Sequence, residues 1–84
     1  MNTYSIVLAE DHALVREGIR GLIERTSGLE VVGEAEDGLT LLRMLENVQP
    51  RMVILDINMP GMRGIEAARE IRVRHPQIKI LFLS

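Results

Sequence analysis

Four short runs rich in Val, Ile and Leu, at residues 5–9, 30–33, 52–55 and 78–83, alternate with stretches in which apolar residues return every third or fourth position. The runs are read as strands and the intervening stretches as helices. The first, third and fourth runs are almost continuously apolar, the pattern of strands covered on both faces, as in a parallel sheet between helix layers. The helical period is carried by Leu14, Gly18, Ile19, Leu22 and Ile23, then by Leu41, Leu42 and Leu45, then by Ile65, Ala68 and Ile71. Local signals mark the boundaries. Asp11 is placed to cap the first helix, Asp37-Gly38 opens the second, and Pro76 forces His75 out of helical geometry after the third. Strands alternating with helices predict right-handed crossovers and a doubly wound α/β sheet. Ligands of such sheets sit beyond the carboxyl ends of the strands, where the strand order reverses. The residues after Ala9 and after Leu55 are therefore the ones to inspect.

Composition narrows the function classes. The 84 residues, 46% apolar and 26% charged, suit one globular domain of small size. A net charge of −2, from 12 acidic and 10 basic residues, gives no electrostatic footprint for nucleic acid or anionic lipid. With no cysteine there are no disulfides, thiolate metal sites or cysteine nucleophiles, which suits a reducing cytosol. No apolar run is longer than stretches such as Ile6-Val7-Leu8-Ala9, and Met1-Asn2-Thr3-Tyr4 lacks a basic leader segment. A soluble, cytoplasmic protein is expected.

After Ala9 comes Glu10-Asp11, and after Leu55 comes Asp56, so neighbouring first and third strands would gather three carboxylates. Like charges so placed raise one another's pKa unless they share a proton or a cation. Oxygen donors without cysteine favour Mg²⁺, which takes one or two carboxylates and keeps waters for exchange with phosphate. A carboxylate is also a competent covalent acceptor of a phosphoryl group. Each acid alone is more simply a polar strand end or a cap. Asp56 is harder to set aside, because Ile57-Asn58-Met59-Pro60-Gly61-Met62-Arg63-Gly64 follows it, a loop whose proline and glycines fix an unusual path.

Leu8-Ala9-Glu10-Asp11-His12 together with Ile54-Leu55-Asp56-Ile57-Asn58-Met59-Pro60-Gly61-Met62-Arg63-Gly64 resembles the receiver domain of bacterial two-component response regulators. The segment Gly33-Glu34-Ala35-Glu36-Asp37-Gly38 is also typical, and Val15-Arg16-Glu17-Gly18-Ile19-Arg20 resembles the NarL/LuxR-type members that carry a C-terminal helix-turn-helix. The resemblance implies a flavodoxin-like fold with strand order 2-1-3-4, lacking the fifth strand and last two helices, so that residues 1–84 form an incomplete receiver domain. It implies that Asp56 accepts a phosphoryl group from a sensor histidine kinase, that Asp11, Asp56 and the Asn58 carbonyl bind Mg²⁺, and that Glu10 assists through water. Ser84 matches the switch hydroxyl. The family's lysine on the fifth strand has no counterpart here, since the only lysine, Lys79, opens the fourth strand. DNA would be met only through the absent C-terminal domain, and no membrane is involved. The domain is expected to be regulatory rather than an enzyme, catalysing only its own phosphoryl transfer.

Other features take simpler readings. His12 fits a solvated first-turn histidine, and His75 a residue that complements a helix dipole. The arginines at 63, 69, 72 and 74 fit a solvated face paired with Glu66 and Glu70, and Met59 and Met62 fit packing around Pro60-Gly61. A non-phosphorylated docking or oligomerisation module of the same fold is the alternative function. A metabolic enzyme or carrier is weaker. A haloacid-dehalogenase-type phosphatase wants a second acid where Asn58 stands, a cobalamin carrier wants histidine there, and Glu10-Asp11 would repel a flavin phosphate. Without a fifth strand, the fourth becomes an apolar edge, and the first helix is left exposed near Leu14, Gly18 and Leu22, so self-association of this chain is expected.

Overall fold

The computed structural model describes residues 3–83. The elements run β1 (Tyr4–Ala9), α1 (Ala13–Glu24), β2 (Leu29–Ala35), α2 (Gly38–Met44), β3 (Met52–Asp56), α3 (Gly64–Arg74) and β4 (Lys79–Leu83). The four strands form one sheet in the order β2-β1-β3-β4, and every pairing is parallel. The chain steps from β1 outward to β2, then crosses back over β1 to β3. Right-handed crossovers in opposite directions put their helices on opposite faces, so α1 covers one side while α2 and α3 pack together on the other. The switch point lies between β1 and β3.

Side chains along β1 and β3 alternate between the two layers, as the pleat requires. Val7, Ala9, Val53 and Leu55 join Leu41, Leu42, Leu45, Ala67, Ala68, Ile71 and Ile78 in the larger core. Ile6, Leu8 and Ile54 face the other way and meet Ile23 of α1 in a smaller cluster edged by Ile19, Leu29 and Val31. Both faces of the central strands are dry, which is why their sequences show no polar alternation.

Four local expectations change. β4, whose run reads as covered on both faces, leaves Leu81 and Phe82 at 49% and 38% exposure as the outer strand of the described sheet. β2 extends to both sides of the predicted residues 30–33, and its register against β1 slips between Ile6 and Val7, so that Val32 is an extra residue in the ladder. Glu34 follows the apolar run and ends it for an apolar-run criterion, although an edge strand tolerates such a charge. Asp11 does not cap α1: the N-cap is His12, with no side-chain hydrogen bond, and Asp11 lies one residue too early. Ile65 faces outward at 51% exposure, because α3 buries Gly64, Ala67, Ala68 and Ile71 instead. The second helix opens as expected, with Asp37 accepting from the Thr40 N–H at 2.7 Å. His75 leaves helical geometry before Pro76, at φ −137°.

Candidate functional site

At the carboxyl edge of β1, the chain turns out of the sheet at Glu10 while its N–H still donates to the Ala35 carbonyl of β2 at 3.0 Å. That bond keeps the turn in line with the strand and carries Glu10 into a buried position, 4% exposed. One strand over, Asp56 closes β3 and is itself only 8% exposed. The Asn58 N–H donates to Asp56 Oδ1 at 3.0 Å, and the Ile57 N–H donates to the Leu83 carbonyl of β4 at 3.1 Å. The following loop can fold back this tightly because Gly61 takes φ +73° and Gly64 lies against the Asp56 and Ile57 backbone.

Glu10, Asp11, His12 and Asp56 each present one ligand-type atom, all within 4.8 Å of one another. The sequence-predicted acids are thus brought together, and Asn58 joins them through its main chain. Ser84 lies outside the described residues. Its predecessor Leu83 lines a cleft of about 310 Å³ together with Glu10, His12, Val15, Asp56 and Asn58. Size alone does not single this cleft out. A hollow of about 440 Å³ lies between Asp37, Leu39 and Pro60-Gly61-Met62, and another of about 330 Å³ lies by Tyr4, Pro50 and Lys79. Of these three cavities, the cleft at the switch point is the one that borders the carboxylate cluster.

Burial is the main cause that pushes the Glu10 carboxyl above the usual carboxylate range, followed by its hydrogen bond with Asp56, with His12 pulling the other way. Asp56 moves down, chiefly through that same hydrogen bond from Glu10, helped by the Asn58 N–H and opposed by burial. The two carboxyls therefore shift apart, with proton affinity raised at Glu10 and lowered at Asp56. His12 is pushed up by its hydrogen bond with Glu10 and then by the Asp11 charge.

By sequence His12 fits a solvated residue. Its side chain is indeed 68% exposed, yet Nδ1 lies 3.1 Å from both Glu10 Oε1 and Asp11 Oδ1. The hydrogen bond goes to Glu10, and the buried Asp11 Oδ1 accepts none. An unpartnered carboxylate oxygen inside a cluster of acids is the position a hard cation would fill, and the all-oxygen donors of Glu10, Asp11 and Asp56 fit Mg²⁺ better than a softer metal. The signal for His12 was its adjacency to the acid pair. Arg16 was missed altogether, although its Nη1 donates to the Glu10 carbonyl.

A parallel sheet reversing its order between β1 and β3, with an acidic pair after β1 and a single acid closing β3, defines a doubly wound domain that handles its ligand at the switch point. The profile of the response regulator receiver domain family matches residues 6–84, and the chain belongs to that family. It is 39% identical over 83 residues to the transcriptional regulatory protein DegU of Brevibacillus brevis, covering 99% of this chain and 35% of that protein. A LuxR-family two-component response regulator from Aurantimonas superimposes with a TM-score of 0.91 at 43% identity, covering 96% of this chain and 58% of that one. RcsB from Salmonella enterica serovar Typhimurium, solved bound to promoter rprA in the presence of the phosphomimetic BeF3-, superimposes with a TM-score of 0.89 at 32% identity over 96% of this chain and 47% of that one. This chain thus spans about a third of the curated relative's length. Among the described residues no helix is long and apolar enough to cross a membrane.

Proposed function

We propose that residues 1–84 belong to a phosphoacceptor receiver domain in which Asp56 takes a phosphoryl group from the phosphohistidine of a sensor kinase. The observation that carries this reading is the placement of Asp56: at the end of β3, with ligand-type atoms of Glu10 and Asp11 within 4.8 Å and Oδ1 accepting from the Asn58 N–H, at a cleft on the switch point. An Asp56 oxygen attacks phosphorus, the new O–P bond forms as the histidine N–P bond breaks, and the departing imidazole takes a proton from solvent. The Asn58 N–H fixes the carboxylate by its Oδ1, and Glu10 and Asp11 bring their carboxylates to the same point from the end of β1. Asp11, Asp56, Glu10 through water and the Asn58 carbonyl would hold Mg²⁺, which when bound offsets the negative charge of the incoming phosphoryl oxygens.

As in DegU, named a transcriptional regulatory protein, and RcsB, solved on a promoter, the complete protein would act in the cytoplasm as a DNA-binding regulator through a C-terminal domain. Ser84 would supply the switch hydroxyl. The 84-residue chain alone would associate with itself through β4.

Incubation of the complete receiver domain with acetyl phosphate and Mg²⁺ should add one phosphoryl group by intact mass, and Asp56→Asn should abolish it. Labelling that persists in the variant would take the role from Asp56. Asp11→Asn should weaken Mg²⁺ binding about tenfold, or about 1.4 kcal/mol, in calorimetry; unchanged affinity would move the cation elsewhere.

A further inference from the structure

The turn that carries Glu10 and Asp11 is held from two sides. Its N–H side is fixed by the Ala35 carbonyl of β2. On the opposite side, Arg16 reaches back from the first turns of α1 and donates from Nη1 to the Glu10 carbonyl at 2.7 Å. The guanidinium is itself held, because Nε lies 3.3 Å from Glu34 Oε1 on β2. The other oxygen of that carboxylate is taken by Arg20 Nη1 at 3.3 Å, and Arg20 Nε lies 3.4 Å from Glu24. The side chains of Arg16 and Glu34 are 21% and 29% exposed, against 48% for Arg20, so the inner half of the network is the better shielded from solvent.

We propose that Arg16 is a positioning residue for the cation site, fixing the Glu10 carbonyl and with it the direction in which the Glu10 and Asp11 carboxylates leave the turn toward Asp56. This rests on reading the acidic cluster as a cation site. Arg16 contacts the main chain of the turn and leaves the chemistry to the acids. Charge-assisted bonds to a carbonyl and a carboxylate from one planar group define a direction that a single ammonium cannot reproduce. Glu34 is the anchor, tying α1, the acidic turn and β2 into one unit. Residues that orient a ligand without touching the metal commonly govern its affinity.

The test is a calorimetric Mg²⁺ titration of the full-length protein, with thermal unfolding followed in parallel. Arg16→Ala should bind Mg²⁺ about tenfold more weakly. Arg16→Lys should recover only part of the affinity, Glu34→Gln should weaken binding less than Arg16→Ala, and Arg20→Ala should match the wild type. In the metal-free protein, the backbone amide resonances of Glu10 and Asp11 should shift in Arg16→Ala and stay in place in Arg20→Ala. A merely structural role would lower the unfolding temperature and leave the affinity of the folded protein unchanged. Wild-type affinity in Arg16→Ala, or an equal loss in Arg20→Ala, would overturn the proposal, as would a wild type that binds no Mg²⁺. Whether Asp56 is labelled by acetyl phosphate is read in a separate assay, so a failure of the phosphoacceptor reading shows there and leaves the Arg16 titration to be judged by itself.

Discussion

A Cβ added at Gly64 would collide with the Asp56 carbonyl oxygen and stand 2.8 Å from the Ile57 Cα, and neither is the end of a flexible side chain. The first residue of α3 thus presses directly on the backbone that aims Asp56, and its N–H donates to the Ile57 carbonyl at 3.1 Å. No rotamer relieves such an overlap, so backbone must move. Gly64→Ala should destabilise the protein by about 1–3 kcal/mol, the usual range for overpacking, read as a lower urea midpoint with an unchanged slope. An unaltered midpoint would mean that the loop from Ile57 to Gly64 yields without cost. Residue chemistry at this site is therefore set partly by an atom that is missing, since only glycine lets the loop return close enough to turn the strand end into one wall of a cleft.

Helix α2 is short, and isolated helices of its length do not hold in water. Its start depends on Asp37, whose Oδ1 accepts the Thr40 N–H at 2.7 Å. That bond is the main cause that holds the Asp37 carboxyl below its ordinary value of 3.8. An acid whose pKa is lower folded than unfolded adds stability above the unfolded value, and the contribution disappears as pH falls through the folded value. Asp37→Ala should accordingly unfold at a lower temperature than the wild type at neutral pH, and the gap should close as pH drops below 3.8. Asp37→Asn keeps an acceptor at the cap and should lose little at neutral pH, while its stability no longer falls through this titration. Thermal unfolding followed by far-UV circular dichroism across that pH range is the check, and a gap that stays constant would assign the loss to something other than the charged cap.

Among the described residues, the two outer strands of the sheet differ in character. β2 carries Glu30 and Glu34 along its run, charges that discourage pairing with another strand, whereas β4 shows Leu81 and Phe82 at 49% and 38% exposure with Lys79 as its one charge. On the α1 side, Leu14 and Leu22 stand 84% and 63% exposed over the smaller of the two cores. A 9.5 kDa chain with an apolar open edge and an apolar helix face has much to gain from a second copy. Sedimentation of the 84-residue chain at micromolar concentration should therefore show a concentration-dependent increase in mass, and Leu81→Lys combined with Phe82→Lys should reduce it. A folded monomer across the whole range would sink this expectation.

The run of four apolar residues before Glu10 and again before Asp56 was enough to place both strand ends and the three acids, because a strand buried on both faces writes its burial continuously into its own residues. Asp37-Gly38 and His75-Pro76 were equally legible, since a cap and a proline act on the chain within a few residues. The extent of β2, the outward turn of Ile65, the uncapped start of α1, and the contacts of His12 and Arg16 with the acidic turn were not. Each of these depends on which segment lies alongside: the register of β2 against β1, the close seat of Gly64 on Asp56, the approach of α1 to the end of β1. Periodicity along a chain reports how much of a residue is covered, whereas the partner that covers it is fixed only when the sheet order and crossovers bring distant segments within a few ångströms.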